Sequence, residues 1–227
     1  MIFLSDIHGF YPTVVNILQQ LGSKNIKDTS IIQLGDFGYH LKWMGETGLD
    51  QIEKYCEKYN YTFYLIRGNH DDPKFYDGTW TRKHIQFVKD YTVLNIENKN
   101  ILCIGGGISI DRKDLIEGIR YFPDEVLVVK EEILDKLRNI DYVATHVAPD
   151  FVMPFTLSKL VESFAEFDKT LKDELKSERE KMTSIFYMIS KHNAIKKWYY
   201  GHYHFGFQQS VGNTEFILIA AEKYEII

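Results

Sequence analysis

The sequence Phe63-Tyr-Leu-Ile-Arg-Gly-Asn-His-Asp71 places a short apolar run directly before a cluster of polar side chains. The run from Phe63 to Ile66 predicts a β-strand, and the polar cluster begins where that strand ends. Similar runs predict further strands at residues 1–4, 31–34, 142–145 and 198–200. Because strand ends can converge at one edge of a sheet, residues far apart in sequence are expected to surround a single site.

Each of these predicted strands is followed by side chains that offer oxygen or nitrogen donors. In chain order the donors are Asp6 and His8, Asp36, Asn69 with His70 and Asp71, His146, and His202 with His204. Any one of these short patterns is weak evidence, because it recurs by chance in proteins of this size. Five of them in this order indicate a metal-binding constellation.

Length and charge limit the class of protein. A chain of 227 residues is long enough for one large domain, and we predict a single domain over residues 1–227. Lys and Arg are mixed among Asp and Glu, with a formal net charge of −5. Because no basic stripe follows from this pattern, a nucleic-acid partner is not favoured.

The cysteines and the N-terminal segment bear on the compartment. Cys56 and Cys103 show no paired spacing, which predicts buried, reduced thiols and a cytoplasmic location. Only four apolar residues precede Ser5, so no signal peptide is expected. No apolar run approaches the length that a membrane span needs, so no membrane partner is expected.

Strands and helices alternate along the first third of the chain, which favours an α/β fold. Helices are predicted at about 12–21 and 49–59, and short strands at 85–88, 92–96 and 101–104, for which we expect antiparallel pairing. The triplet Gly105-Gly106-Gly107 lacks the residues of a phosphate-binding loop, so it predicts a tight strand exit beside another backbone.

A helical segment is predicted at about 155–193. Apolar residues recur at helical spacing from Leu157 to Leu175, and Ser177 with Glu180 resembles a capping box that would start a second helix ending near His192. The favoured role of this helical pair is to cover one face of a sheet. A role as a wall of the active site is the alternative.

The donors suit a centre with two ions. Two ions roughly 3.5 to 4 Å apart need a ligand that touches both, and Asp36 directly after Gly35 is the candidate. Asp6, His8 and His204 are assigned to the first ion. Asn69, His146 and His202 are assigned to the second ion.

The donor chemistry also restricts the ions. Imidazole, carboxylate and amide donors without cysteine suit Mn, Fe, Zn, Co or Ni and do not suit a structural zinc cage. We expect two divalent ions, with Mn²⁺ as the first candidate. Two divalent ions, two carboxylates and one hydroxide leave about one net positive charge, which favours phosphate chemistry.

This series of residues, which extends from Asp6 to His204, resembles the calcineurin-like metallophosphoesterase superfamily. The stretch Gly106-Gly107-Ile-Ser-Ile-Asp111-Arg112, followed by Pro123-Asp124-Glu125, resembles its small bacterial and phage-type members. The resemblance implies a four-layer αββα sandwich of two mixed β-sheets flanked by helices. It also implies a dinuclear centre and hydrolysis of phosphate esters by a metal-activated hydroxide. By the same resemblance His70 is a general acid and not a ligand, which agrees with the need of a departing alkoxide for a proton.

The sequence departs from the protein phosphatase branch of that superfamily after the second motif. Tyr39 and His40 stand where that branch has Asp and Arg. Candidate substrate-binding residues are Arg67, His40 and Arg112. Arg67 matches the Arg that precedes the third motif in that branch, and His40 follows Asp36 by four residues. An Arg paired with a nearby carboxylate is the commoner outcome for such residues.

Three functions remain open from the sequence. The favoured function is a phosphomonoesterase acting on a small phosphorylated substrate or a phosphoprotein. The first alternative is a phosphodiesterase or nuclease, and the second is an inactive scaffold of the same fold. The scaffold is disfavoured because all seven predicted ligands are present.

Overall fold

The computed structural model describes residues 1–38 and 42–227 of the chain, without the side chains of residues 42–45. It contains two β-sheets. The first sheet has the order β11-β1-β2-β3-β4. Its strands are β1 (Ile2–Leu4), β2 (Ser30–Leu34), β3 (Thr62–Ile66), β4 (Ile85–Phe87) and β11 (Tyr224–Ile226). β1 to β4 are parallel, and β11 pairs antiparallel with β1.

The second sheet has the order β5-β6-β7-β8-β10-β9. Its strands are β5 (Thr92–Ile96), β6 (Lys99–Ile104), β7 (Tyr142–Thr145), β8 (Lys197–Tyr200), β9 (Phe207–Val211) and β10 (Thr214–Leu218). The parallel pairs are β6 with β7, β7 with β8, and β8 with β10. The edge strands β5 and β9 pair antiparallel with β6 and β10. The predicted pair of mixed sheets is confirmed.

Helices cover the sheets. They are α1 (Tyr11–Ser23), α2 (Lys42–Tyr59), α3 (Glu131–Leu134), α4 (Lys159–Ala165) and α5 (Leu171–Ser190), with a 3-10 helix at Pro73–Tyr76. Buried residues of α1 and α2 join one hydrophobic cluster with the first sheet, and those of α3 and α5 join another with the second sheet. A third cluster, which includes Phe3, Ile32, Cys103 and Tyr199, contains residues of both sheets. The predicted layered fold, with helices flanking two sheets, is therefore confirmed.

The predicted pairing of one short strand was wrong. β5 and β6 pair antiparallel as expected, but β4 pairs parallel with β3 in the other sheet. The 18 residues from Arg67 to His84 between these strands are long enough for a crossover connection, which parallel pairing requires. Ile85 and Phe87 are buried and Gln86 is exposed, so one face of β4 still covers the core.

The predicted break in the helical segment was also misplaced. α5 begins at Leu171 and continues through Ser177, where the capping box had predicted a new helix. Its buried stripe runs without interruption through Leu171, Leu175, Glu178, Met182, Ile185 and Ile189. Burial of this continuous stripe outweighs a local capping signal that has no change in chain direction to support it.

Several other features agree with the sequence. Cys56 and Cys103 are free and buried, as predicted. A Cβ on Gly105 would lie 2.5 Å from the carbonyl oxygen of Arg67, so the tight strand exit beside another backbone is confirmed. Among the helices of the described residues, none has the length and apolar character that crossing a bilayer requires.

Candidate metal centre

The predicted donors lie at the carboxyl ends of parallel strands in both sheets. In the first sheet, β1 leads to Asp6 and His8, β2 leads to Asp36, and β3 leads to Asn69 and His70. In the second sheet, β7 leads to His146, and β8 leads to His202 and His204. Carboxyl ends of parallel strands meet at one edge of a sheet, and here the two sheet edges face each other across the centre.

The backbone at these donors is unusual. Asp6, His8, Asp36, His202 and His204 have φ values of 50°, 49°, 55°, 72° and 61°. The left-handed region costs a residue with a side chain about 1–3 kcal/mol, and such residues cluster at functional sites. The fold therefore bears strain at five of the seven predicted ligands.

Two glycines allow the strand ends to approach closely. Gly35 has a φ of +94°, and a Cβ there would stand 2.3 Å from Nδ1 of His146. A Cβ on Gly68 would stand 2.1 Å from the backbone nitrogen of Asp36. Only a glycine fits at either position, which is why each glycine directly precedes a predicted ligand.

Three overlapping groups of donors have all their ligand atoms within 4.8 Å of one another. The groups are Asp6 with His8 and His204, His8 with Asp36 and His70, and Asp36 with His146 and His202. Asp36 and His8 each occur in two groups. This sharing is what a centre with two neighbouring ions needs, since at least one ligand must reach both ions.

The deeper half of the centre surrounds His146. Its Nε2 lies 3.0 Å from Oδ1 of Asn69, 3.4 Å from Oδ1 of Asp36 and 3.1 Å from Nδ1 of His202. Its Nδ1 lies 2.7 Å from the carbonyl oxygen of Leu34. A proton on Nδ1 that is donated to this carbonyl leaves Nε2 free as a ligand.

The outer half of the centre lies closer to solvent. Nε2 of His8 and Nε2 of His204 are 3.0 Å apart, and His204 is 3.6 Å from Oδ1 of Asp6. His8 is 3.9 Å from Oδ2 of Asp36, whereas His146 approaches Oδ1 of the same carboxylate. The backbone N–H of His202 donates to Oδ2 of Asp6 at 3.0 Å, and the Ser5 hydroxyl also donates to that oxygen.

The charges of the site favour a bound cation. Asp6 and Asp36 are 0% and 2% exposed, and among the residues that the structure describes neither forms an ion pair with a lysine or arginine. Buried carboxylates without a cation are costly. The convergent imidazole, carboxylate and amide donors therefore fit divalent ions.

The titration behaviour of the buried groups agrees with this fit. Burial raises the pKa of Asp36, but the attraction of His146 and His70 outweighs it and holds that pKa well below its usual range. Burial lowers the pKa of His146, but the attraction of Asp36 and Asp6 outweighs it and raises that pKa to about 9. Burial and the neighbouring His146 hold the pKa of His202 well below its usual range. These pKa shifts favour an ion pair between Asp36 and His146 without metal, and a divalent ion would compete with the proton of His146 for Asp36.

The structure does not separate the two candidate roles of His70 by distance. Its backbone N–H donates to Oδ1 of Asp36 at 2.8 Å, and its ring centroid lies 5.3 Å from that of His8. It belongs to one of the three donor groups and is only partly buried. The assignment of His70 as general acid stays a prediction, as do the seven ligand assignments.

The candidate substrate-binding residues are placed differently from the ligands. Arg67 is 5% exposed and donates to the carbonyl oxygen of Glu125 at 2.6 Å and to the Asp90 carboxylate at 3.0 Å. Arg112 pairs with Asp168 at 2.6 Å and with Glu174 at 2.5 Å. Because both guanidinium groups bind protein acceptors, their contacts favour structural roles over phosphate binding. His40 lies outside the described residues.

Sequence reasoning assigned no role to three residues that support the ligands. The Asp71 carboxylate accepts hydrogen bonds from the backbone of Gly38 at 2.7 Å and of Gly68 at 2.8 Å, and so ties the second motif to the third. Ser109 and Glu125 form a buried hydrogen-bonded chain behind Asn69. The position of Asp71 inside the third motif was one available signal. Ser109 and Glu125 lie in the two stretches that resemble small bacterial and phage-type members, and that resemblance was their only signal.

Comparison with solved structures shows the same fold in other proteins. A protein from Thermus thermophilus matches with a TM-score of 0.58 and 9% identity over 97% of this chain and 88% of that chain. A dimetal phosphatase from Danio rerio matches with a TM-score of 0.54 and 10% identity over 98% and 88%. GAP50, described as the anchor in the inner membrane complex of Plasmodium, matches with a TM-score of 0.51 and 12% identity over 98% and 72%. At these identities the likeness concerns the fold alone.

The sequence itself provides the assignment to a family. The family model of calcineurin-like phosphoesterases matches residues 1–206, which include every predicted ligand. This match agrees with the two mixed sheets, with their flanking helices and with the convergent donors at the strand ends. The chain therefore belongs to the calcineurin-like phosphoesterase family.

Proposed function

We propose that this chain is a dinuclear metal-dependent phosphoesterase that hydrolyses phosphate esters. The observation that carries the proposal is the overlap of three donor groups through Asp36 and His8. When bound, two divalent ions supply Lewis-acid stabilisation of the phosphoryl oxygens and activate the attacking water. Mn²⁺ is the ion that we propose, with Fe, Zn, Co and Ni as alternatives.

The chain's own residues prepare the centre for a phosphate group. Asp6 and Asp36 offset only part of the charge of two divalent ions, so the centre keeps a positive charge that attracts phosphate. His70 is held next to Asp36 by its backbone N–H, and we assign its side chain the protonation of the departing alkoxide. His204, whose side chain is 52% exposed, lies on the solvent side, from which a substrate can enter.

We propose phosphomonoesters, free or on a protein, as the preferred substrates. A monoester dianion gains more from a compact positive centre than a diester monoanion does. The net charge of −5 favours no extended contact with a long polyanion. A cytoplasmic location, consistent with two free buried cysteines, is part of the same proposal.

A phosphodiesterase is the second candidate, and one observation favours it. Arg67 and Arg112, the two arginines predicted to bind phosphate, are engaged by protein carboxylates and carbonyl groups. An arginine that contacted the phosphate would favour a dianion. Without such a contact, the preference of the site for monoesters over diesters is smaller. The scaffold is disfavoured because all seven predicted ligands are present in the sequence.

The test of the proposed function compares two aryl esters. Protein stripped with a chelator should lose hydrolysis of p-nitrophenyl phosphate and regain it when Mn²⁺ is added. With the metal restored, kcat/KM for p-nitrophenyl phosphate should exceed that for bis-p-nitrophenyl phosphate. A preference for the bis-ester would assign the chain as a phosphodiesterase, and full activity without metal would refute the dinuclear mechanism.

A further inference from the structure

Asn69 can serve as a ligand in only one of its two amide orientations. The amide oxygen binds a cation, whereas the NH₂ group of the same side chain repels it. In the structure Oδ1 lies 3.0 Å from Nε2 of His146 and so faces the deeper half of the metal centre. The other end of the amide, Nδ2, lies 3.1 Å from Oγ of Ser109. The partner on that side decides which end of the amide faces the ions.

Ser109 holds the amide only if its hydroxyl oxygen accepts a hydrogen bond. A serine hydroxyl has one proton, and that proton has to point elsewhere for the oxygen to accept from Nδ2 of Asn69. The hydroxyl of Ser109 donates to Oε2 of Glu125 at 2.9 Å. The backbone N–H of Ser109 donates to Oε1 of the same carboxylate at 2.6 Å. Glu125 therefore accepts both hydrogen bonds that Ser109 can donate.

Burial raises the pKa of Glu125 to about 7. Above that pH its carboxylate is ionised and can only accept, so it sets the direction of the hydrogen bonds that connect Glu125, Ser109 and Asn69. With both oxygens of Glu125 accepting, the proton of Ser109 points away from Asn69, and the Asn69 amide turns its NH₂ group to Ser109. Ser109 and Glu125 are 0% and 1% exposed, so water does not compete for these positions. A glutamine in place of Glu125 would break this order, because one of its two ends is a donor.

Glu125 is itself fixed to the strand ends. Its carbonyl oxygen accepts from Nη1 of Arg67 at 2.6 Å and from the backbone N–H of Gly107 at 3.0 Å. Arg67 follows β3, the strand that also leads to Asn69. The carboxylate is thus held by the same strand end that positions the amide.

We propose that Glu125 is a positioning residue that acts through Ser109 to fix the Asn69 amide oxygen toward the second ion. The proposal rests on the proposed dinuclear function, because Asn69 has this role only if ions bind. Groups behind a metal ligand typically change metal affinity by about 10- to 100-fold. Glu125 and Ser109 should therefore matter for the second ion and not for the first.

The experiment measures stepwise Mn²⁺ binding to the stripped protein, at a pH above the pKa of Glu125, by calorimetry and by electron paramagnetic resonance of free Mn²⁺. Glu125→Gln should weaken the second binding step about 10- to 100-fold and leave the first step unchanged. Glu117→Gln, an exposed glutamate of the same loop, removes the same charge and should change neither step. Equal affinities for Glu125→Gln and the wild type would overturn the proposal.

A second variant tests the direction of the hydrogen bonds that connect Glu125, Ser109 and Asn69. Asn69→Asp places a carboxylate, which has no NH₂ end, opposite Ser109. In the Glu125→Gln background the Ser109 proton can turn to Asp at position 69, so the double variant should recover much of the lost second-site affinity. Alone, Asn69→Asp adds the same charge but leaves Ser109 between two acceptors, so its gain in second-site affinity should be smaller than in the Glu125→Gln background. An equal gain in both backgrounds would overturn the directional role.

The outcomes separate this proposal from the proposed function. Metal binding is measured without turnover, so a wild type that binds two ions but hydrolyses no ester refutes the activity and not the positioning role. If Glu125→Gln does not fold by circular dichroism, Ser109→Ala removes the hydroxyl alone and should weaken the second binding step by itself. Unchanged second-site binding in Ser109→Ala would overturn the proposal.

Discussion

Gly35 and His146 are in direct contact across the two sheets, with no room for a side chain on Gly35. A Cβ there would lie 2.3 Å from Nδ1 of His146, and the backbone φ is +94°. We predict that Gly35→Ala combines backbone strain with displacement of a buried ring and lowers the free energy of unfolding by about 2–5 kcal/mol. Denaturant unfolding of the metal-free protein measures the effect.

Gly118→Ala is the matched control for this prediction. Gly118 has a φ of +74°, and a Cβ there meets no atom of the described residues within 4 Å. Its substitution should cost only the backbone strain, about 1 kcal/mol. Equal losses for the two variants would show that the contact with His146 is not the cause.

Asp36 and His70 should behave differently when each is replaced by alanine. Asp36 belongs to two donor groups, so Asp36→Ala should lose both metal occupancy and turnover. His70→Ala should keep the metals and lose about 10²- to 10⁴-fold in rate for substrates with poor leaving groups. Elemental analysis together with kcat for alkyl and activated aryl phosphates measures both effects. If the His70 variant were as depleted in metal as the Asp36 variant, His70 would have to be reassigned as a ligand.

Glu178 interrupts the apolar stripe of α5, and its Oε1 is buried with no hydrogen-bond partner among the described residues. Burial, with a smaller contribution from Glu125, raises its pKa from 4.5 to about 8, although His146 opposes the shift. Because the folded pKa exceeds the unfolded value, stability from this group is complete below pH 4.5 and is lost as the pH rises toward about 8. Glu178→Gln removes this titration.

We predict that the metal-free Glu178→Gln variant gains stability over the wild type by a few kcal/mol as the pH rises through this window. Denaturant unfolding at several pH values measures the difference. Glu180→Gln, an exposed glutamate of the same helix, should show no such trend. A difference between Glu178→Gln and the wild type that does not change with pH would contradict the prediction.

Arg179 connects α5 to the loop that follows His146. Its guanidinium donates to the carbonyl oxygens of Pro149 at 2.6 Å and Val152 at 2.5 Å, and also to those of Ala148 and Pro154. It lies 5.6 Å from the ring centroid of Tyr203, which stands between two predicted ligands. α5 therefore covers the second sheet, which was the favoured role, and also supports the loop that follows His146. The alternative role as a wall of the active site stays a prediction.

We predict that Arg179→Met lowers the free energy of unfolding by at least about 3 kcal/mol, because several partly buried carbonyl groups lose their donor. Lys176→Met removes an exposed charge of the same helix and should change stability by less than about 0.5 kcal/mol. Denaturant unfolding of both variants decides the matter. Similar stabilities would show that the loop does not depend on Arg179.

The strands and the convergence of the donors could be predicted because each is encoded locally. Apolar runs such as Phe63 to Ile66 end at polar residues, and the glycine before Asp36 indicates close backbone approach. The parallel pairing of β4 depends on which strand is available as a neighbour, which no local pattern specifies. The start of α5 was misplaced for a similar reason, since burial of the whole stripe outweighed one capping signal.

The surroundings of the ligands could not be predicted in the same way. Arg67 and Arg112 were candidates for binding phosphate, but their guanidinium groups point to acceptors distant in sequence, such as Asp90 and Glu174. The contact between Ser109 and Glu125 spans a loop whose path the residue types alone do not encode. Partners of this kind depend on tertiary packing, whereas ligand types depend on chemistry that is visible in the sequence.

The division of the ligands between two sheets has a mechanical consequence. Asp6, His8, Asp36 and Asn69 follow strands of one sheet, and His146, His202 and His204 follow strands of the other. Ions that bind to both sets act as a cross-link at the rim of the sandwich, while the apolar cluster shared by both sheets holds the interior. Sliding of one sheet over the other would break ligand bonds as well as apolar contacts. Ions bound by the predicted ligands would thereby make the rigidity of the sandwich depend on ion concentration.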